Sequence, residues 1–247
     1  MTLWSTLAVL AAVAVGSFAK GITGLGLPTV AIPVLAAFLG VEHAVVVMTI
    51  PGVVSNGWLL WRYRGEASGV RELPSLLLTG IVGVAIGTWL LIRVDARALS
   101  LCLAAVIAAY VVVVLTRPGF ALPAWLTRLL SPVVGFASGA LQGATGICGP
   151  LLATYLHGFR LRPQAYVFAV TTLFLVFAVT QVVAVVQVGL FTATRLGEGL
   201  LALVPMAVAL PAGMAFSRRL DHRTFDLIVL VLLVGMGAKL LYDGLAP

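Results

Sequence analysis

Charged side chains are scarce in this chain. Only 9% of its 247 residues are Asp, Glu, Lys or Arg, whereas soluble domains carry about a quarter. No hydrophilic stretch is long enough to form a soluble domain, and the mean hydropathy is +1.16. These absences exclude an ordinary soluble protein and predict an all-α polytopic membrane protein embedded in a lipid bilayer.

Cysteine and nucleotide-binding motifs are also sparse or missing. The two cysteines, Cys102 and Cys148, lie in apolar surroundings and indicate neither a disulfide framework nor a metal site. The pattern G-x-x-x-x-G-K-S/T is absent, so we expect no ATP hydrolysis and no cofactor. The N-terminus has no basic residue before its apolar run, which predicts a first membrane segment rather than a cleaved signal.

Long apolar runs divide the chain. A bilayer crossing takes about 20 apolar residues, so the length allows about ten segments. We expect them near residues 3–20, 24–40, 43–61, 74–92, 98–116, 125–143, 148–159, 165–189, 197–217 and 224–242.

The formal net charge of +7 has two interpretations in such a protein. Basic loops orient membrane segments, and a positive field suits an anionic cargo; nucleic acid is not an expected partner. If the ten segments alternate, ten loop arginines fall on one side and three on the other. The basic side is expected to be cytoplasmic, which places both termini outside.

An internal repeat joins "KGITGLGLP" (20–28) to "QGATGICGP" (142–150). At a constant offset of 122, four residues match: Gly21, Thr23, Gly24 and Pro28 with Gly143, Thr145, Gly146 and Pro150. We therefore predict two five-segment repeats, residues 1–120 and 121–247. Since five is odd, the repeats would be inverted, which is typical of secondary transporters.

Each repeated stretch interrupts an apolar run with glycines and a proline. Broken backbone at membrane depth is tolerated only inside protein or beside a wet cavity. We expect two helical hairpins whose tips meet near the bilayer centre, where helix N-termini and close backbone approach bind an anion. The predicted substrate-binding residues are Lys20, Gly21, Thr23, Gly24, Gly26, Pro28, Asn56, Gln142, Gly143, Thr145, Gly146, Cys148, Gly149 and Pro150.

Several of these residues have a simpler structural interpretation. Glycines in membrane helices serve close packing, and Lys20 could extend to an interface if its helix crosses fully. Asn56 could bond a neighbouring helix, and Cys148 could be a small filler where the first repeat has Gly26. His157 is the best candidate for a proton-coupling residue, although no carboxylate or histidine clearly lies at depth.

At these two stretches the sequence resembles the TauE/SafE family of sulfite exporter-like permeases. The family pattern is G-x-x-G-x-G-G-G followed by a proline and a leucine. Gly21, Gly24 and Gly26 fit it, as do Pro33 and Leu35, whereas Leu27 and Pro28 stand where the family often has glycines. The second half is similar to the form G-x-x-x-G-x-x-G-x-x-G-P, through Gly139, Gly143, Gly146, Gly149 and Pro150.

This resemblance implies a bacterial inner-membrane permease, mostly an exporter, for sulfite, organosulfonates or similar small anions. A passive anion channel and an uptake permease of the same architecture remain alternatives. An intramembrane enzyme would use "ASG" (137–139) and His157, but Phe136 stands where a G-x-S-G motif needs glycine. The sequence leaves open whether two copies form a homodimer.

Overall fold

A computed structural model gives the architecture of part of the chain. It describes residues 3–66, 71–95, 97–98, 101, 104–105, 108, 112, 116, 124–157, 159, 161, 163–216, 234, 238 and 241–242. The helices are α1 (Leu3–Thr23), α2 (Leu27–Leu39), α3 (Val41–Arg62), α4 (Leu73–Arg93), α5 (Ala124–Thr145), α6 (Gly149–His157), α7 (Pro163–Gln187), α8 (Ala193–Leu201) and α9 (Leu203–Phe216). A 3-10 turn at Arg64–Glu66 follows α3.

The all-helical fold predicted from hydropathy is confirmed for the described residues, which contain no strand. Four stretches there are long and apolar enough to cross a membrane: Val41–Arg62, Leu73–Arg93, Ala165–Gln187 and Ala193–Phe216. Shorter apolar helices cover Thr6–Ile22 and Leu27–Leu39. The chain is a membrane protein by this criterion and by the composition.

The predicted count of ten segments is not reproduced. Segments 98–116 and 224–242 lie largely outside the described residues. The predicted segment 197–217 is covered by α8 and α9, which one turn residue, Ala202, separates. Helix α6 has nine residues and lies within the predicted segment 148–159.

Glycines set the closest helix contacts. On α4, Gly80, Gly83 and Gly87 face Gly135, Gly139 and Gly143 on α5. A Cβ at Gly139 would lie 2.1 Å from the Gly80 carbonyl oxygen, and one at Gly143 would lie 2.3 Å from the carbonyl oxygen of Val84. Small residues let membrane helices approach this closely, so the α4–α5 pair depends on them.

Helix α1 packs against α9 in the same way. A Cβ at Gly21 would lie 2.3 Å from the carbonyl oxygen of Leu210, and one at Gly213 would lie 2.1 Å from that of Phe18. Helix α3 packs against α7, and α2 lies between α1 and α3. This arrangement brings the α1–α2 and α5–α6 connections close together.

The helix bounds recur along the chain. Helix α1 ends at residue 23 and α5 at 145; α2 begins at 27 and α6 at 149; α3 begins at 41 and α7 at 163. Each pair differs by 122 residues, the offset of the sequence repeat. The two repeated stretches, 20–28 and 142–150, therefore contain two matching breaks between helices.

Candidate anion site between two helix breaks

The first break, residues 24–26, separates α1 from α2 and requires glycine. Gly24 has φ of 75° and Gly26 has φ of 121°, a region that residues with a Cβ rarely adopt. The amide of Gly24 donates to the Lys20 carbonyl oxygen at 2.8 Å, and the amide of Val30 donates to that of Gly26 at 2.9 Å. No side chain caps the start of α2.

The second break, residues 146–148, separates α5 from α6 with the same hydrogen bonds. Gly146 has φ of 71°, and its amide donates to the Gln142 carbonyl oxygen at 2.8 Å. The amide of Leu152 donates to the Cys148 carbonyl oxygen at 3.2 Å. The Thr145 hydroxyl donates to Leu141 O at 2.7 Å and accepts from the amide of Ile147 at 3.3 Å, so it stabilises the break itself.

The two breaks meet. A Cβ at Gly146 would lie 2.3 Å from Ile32 Cδ1 of α2. One at Gly149 would lie 3.7 Å from Thr29 Oγ1 and 3.9 Å from Leu25 Cδ2. Residues of one break thus form the wall opposite the other.

A small cavity lies between them, in which the centre of a water molecule can occupy about 30 Å³. A buried water needs about 10–15 Å³ by this measure, so the cavity has room for about two. Its lining comes from both breaks and from α3 and α7: Gly26, Pro28, Thr29, Ile32, Val45, Met48, Thr49, Gly52, Asn56, Gln142, Gly146, Ile147, Cys148, Gly149, Phe174, Ala178 and Gln181.

Lys20 lies beside this cavity with its side chain fully buried at 0% exposure. Its Nζ donates to Asn56 Oδ1 at 2.6 Å and lies 5.6 Å from the centroid of the Phe174 ring. The ammonium group therefore does not extend to the molecular surface. Among the described residues, no carboxylate forms an ion pair with it.

Gln142 occupies the corresponding place at the second break and is bonded on several sides. Its Nε2 donates to Gln181 Oε1 at 2.8 Å, and the Cys148 thiol donates to its Oε1 at 3.0 Å. Gln181 Nε2 donates in turn to the carbonyl oxygens of Gln142 at 2.8 Å and Gly143 at 3.3 Å. A neutral amide pair thus faces the cation–amide pair of the first break.

The comparison with known families agrees with this architecture. A family model described as Sulfite exporter TauE/SafE matches residues 8–240. The chain belongs to the TauE/SafE family. No curated protein and no solved structure matches it. The resemblance predicted from the glycine patterns is confirmed, and the family is one of membrane transporters.

The structure of this TauE/SafE chain separates the predicted site residues into groups. The cavity wall includes Gly26, Pro28, Asn56, Gln142, Gly146, Cys148 and Gly149. Gly21 and Gly143 lie in helix–helix contacts, and Gly24 faces Val167. The side chains of Thr23, Pro150 and His157 lie outside the described residues.

Several cavity residues escaped the sequence interpretation. Gln181 is not among the predicted site residues, yet it is 1% exposed, lines the cavity and bonds Gln142. Thr29 and Thr49 also line the cavity. Gln181 had a signal, because polar residues inside membrane segments are functional candidates. Thr171 and Thr172 bond the backbone of their own helix.

Ion pairs lie away from the cavity. Arg195 Nη2 donates to Glu42 Oε1 at 2.7 Å, and His43 contacts Glu198. These contacts join the start of α3 to α8, and the side chains are partly exposed. Among the described residues, no carboxylate lines the cavity. Lys20 is not itself part of the lining, but its Nζ contacts two lining residues, Asn56 and Phe174, both of them neutral.

Proposed function

We propose that this chain is a secondary transporter of small sulfur-containing anions, such as sulfite or organosulfonates. The anion would bind in the cavity between the two breaks, with Lys20 as its charged partner. The observation that supports this most strongly is the fully buried Lys20 side chain, which has an amide and an aromatic ring as partners but no carboxylate in the described part of the chain.

A buried cation without a counterion is costly. Removing an ion from water costs several kcal/mol even after relaxation, and only a close opposite charge offsets much of it. A bound anion would supply that charge. The starts of α2 and α6 add backbone amides and a partial positive charge at the same place. Asn56, Gln142 and the threonine hydroxyls would then orient the oxygens of the anion.

The cavity supports a carrier mechanism rather than an open pore. It has room for about two water molecules, which is two non-hydrogen atoms against the four of sulfite. Binding and release therefore require the surrounding helices to separate. The constant offset of 122 in the helix bounds supports two inverted repeats, residues 1–120 and 121–247, that would rock around the site in alternating access.

The membrane orientation and the direction of transport are inferred from the sequence and the family. The excess of arginines in one set of loops supports both termini on the periplasmic side of a bacterial inner membrane. The family description supports export as the direction. Uptake by the same architecture is the alternative direction.

Transport in proteoliposomes tests the function. Vesicles loaded with unlabelled sulfite should accumulate radiolabelled sulfite from outside by exchange, and taurine or sulfoacetate should compete, whereas chloride should not. Lys20→Met should abolish the exchange. Arg64→Gln is the matched control, because it removes a positive charge that is exposed and stacked on Trp61.

Two outcomes would contradict the proposal. Flux down a gradient without exchange would indicate a passive channel. Equal exchange by the wild type and Lys20→Met would remove Lys20 from the site.

A further inference from the structure

One face of α5 carries hydroxyl side chains that lead away from the cavity. Thr127, Ser131 and Ser138 lie 15, 11 and 4 residues before Gln142. At 3.6 residues per turn, all four fall within an arc of about 60° on the helix surface. We call Thr127, Ser131 and Ser138 the hydroxyl stripe. The longest gap in the stripe, between Ser131 and Ser138, contains Val134, which packs against the neighbouring apolar cluster.

All three side chains of the hydroxyl stripe are buried. Thr127 is 3% exposed, and Ser131 and Ser138 are 0% exposed. Their helix packs against an apolar cluster that includes Leu152, Leu173 and Phe177. A buried hydroxyl without a partner costs about 1–3 kcal/mol, so a purely structural helix would not be expected to carry one.

Ser138 is the informative member. Its Oγ is buried and has no hydrogen-bond partner among the described residues. Ser131, in contrast, donates to the Thr127 carbonyl oxygen at 2.8 Å, as membrane serines commonly do. The two other such hydroxyls in the described part of the chain are those of Ser17, one turn before Lys20, and Thr88, whose backbone faces Gly143. All three therefore lie close to the cavity helices.

The length of α5 from Gln142 to Thr127 matches half the thickness of a bilayer. The 15 residues from Gln142 to Thr127 span about 22 Å at 1.5 Å per residue. Half of a bilayer, headgroups included, is also about 20–22 Å. With the cavity at the bilayer centre, as the sequence predicts, Thr127 would lie at one edge of the membrane. Its hydroxyl donates to Glu72 Oε1 at 3.3 Å.

The first hairpin lacks the two inner hydroxyls. At the offset of 122, Thr127 corresponds to Ser5, whereas Ser131 and Ser138 correspond to Val9 and Gly16 of α1. Gly16 lies against the backbone of Leu27, where a Cβ would be 2.9 Å from the carbonyl oxygen. A hairpin of this shape therefore does not need hydroxyls at the two inner positions, and Ser131 and Ser138 require a separate explanation.

We propose that the hydroxyl stripe lines the route by which the anion passes between the cavity and the membrane face where α5 begins. This inference rests on the proposed function. Hydroxyls donate to the anion in turn and replace the water that it gives up. Arg71 and Arg128, both exposed, neighbour Glu72 and Thr127 in sequence and offset the Glu72 carboxylate at the mouth of the route.

Tyr155 closes this route in the present structure. Its hydroxyl donates to the Thr127 carbonyl oxygen at 2.6 Å and contacts the Ser131 hydroxyl at 2.8 Å, and its ring packs edge-on against Phe159 at 5.1 Å. These bonds hold α6 against α5 between the mouth of the route and Ser138. Opening the route requires them to break, so Tyr155 acts as the gate.

Thiol labelling tests the route without depending on the cargo. Ser138→Cys, in a chain with Cys102 and Cys148 replaced by alanine, should react with the membrane-impermeant anion 2-sulfonatoethyl methanethiosulfonate. Reaction is expected from only one side of oriented vesicles. Adding Tyr155→Phe should raise the rate about fivefold, the change in open population that one net hydrogen bond is worth. Val133→Cys is the control, because Val133 is 63% exposed on the opposite, outward face.

The outcomes separate the two proposals. One-sided reaction at position 138 that exceeds reaction at 133, and that Tyr155→Phe accelerates, supports the route. No reaction at 138 in both backgrounds, while radiolabelled sulfite still exchanges, overturns the route and leaves the anion site intact. Reaction at 138 without any sulfite exchange would retain a water-accessible route and overturn the cargo.

Discussion

The break at residues 24–26 and the break at residues 146–148 end one helix and begin the next with the same backbone hydrogen bonds. The side chains one turn before them differ. Lys20 pairs with Asn56 at the first break, whereas Gln142 pairs with Gln181 at the second. The shared backbone explains why the glycines recur at the same offset. The difference places the cation of the site in one half only, so the two breaks have unequal roles.

Exchanging these two side chains should produce the largest effect. Lys20→Gln should weaken sulfite binding by about 2–5 kcal/mol, the usual cost of removing one partner of a buried charge pair. The double variant with Gln142→Lys returns a cation to the same cavity and should recover part of the affinity. Calorimetric titration of the purified proteins measures both. A double variant as weak as the single one would mean that the position of the cation, not its presence, decides binding.

The second largest effect is expected from removing the hydrogen-bond partner of Lys20 or of Gln142. Asn56→Leu leaves the ammonium group without its acceptor and should destabilise the anion-free protein by about 1.5–3 kcal/mol. Gln181→Leu removes the acceptor of the Gln142 side-chain amide and a donor to the Gln142 and Gly143 carbonyl oxygens, at about 1–3 kcal/mol. Thermal unfolding followed by tryptophan fluorescence should show that saturating sulfite reduces the deficit of Asn56→Leu only. Equal rescue of both variants would contradict the assignment of charge to the first break.

Replacing the glycines with left-handed backbone should change the stability by smaller amounts. Gly24→Ala and Gly146→Ala each incur about 1–2 kcal/mol of backbone strain. At Gly146 the new Cβ also meets Ile32 Cδ1 at 2.3 Å, whereas at Gly24 the nearest atom is 3.5 Å away. Gly146→Ala should therefore have the lower melting temperature. The reverse order would indicate that the two breaks do not pack as described.

Cys148→Ala should have the smallest effect. The thiol makes one weak hydrogen bond to Gln142, so stability should fall by less than about 1 kcal/mol and sulfite exchange should persist. The equivalent residue of the first break is Gly26, which has no side chain at all. Loss of exchange in Cys148→Ala, with normal folding, would give the thiol a role in binding.

The sequence could predict the breaks because their chemistry is local. Glycine, proline and threonine in a fixed order specify where one helix ends and the next begins, and the observed bounds follow that order at residues 20–28 and 142–150. The family followed from the same residues. Burial of Lys20 could not be read with certainty, because a lysine near a helix end can equally extend to an interface.

The partners of the site residues could not be predicted for a similar reason. Gln181 reaches Gln142 across 39 residues of sequence, through the packing of α7 on α5. The glycines illustrate the same limit. Gly21 and Gly24 belong to one short motif, yet Gly21 faces a neighbouring helix and Gly24 forms the break. Only tertiary contacts decide which glycine serves packing and which serves the turn.

The most direct test of the anion site is thermal stabilisation of the purified protein by sulfite, sulfate, thiosulfate, taurine, sulfoacetate, acetate and chloride, in the wild type and in Lys20→Met. An anion present at 100 times its dissociation constant should stabilise the wild type by about 2.7 kcal/mol. The account predicts that one or more sulfur anions do so and that Lys20→Met loses the effect. Equal stabilisation of the two proteins, or none by any sulfur anion, would contradict it.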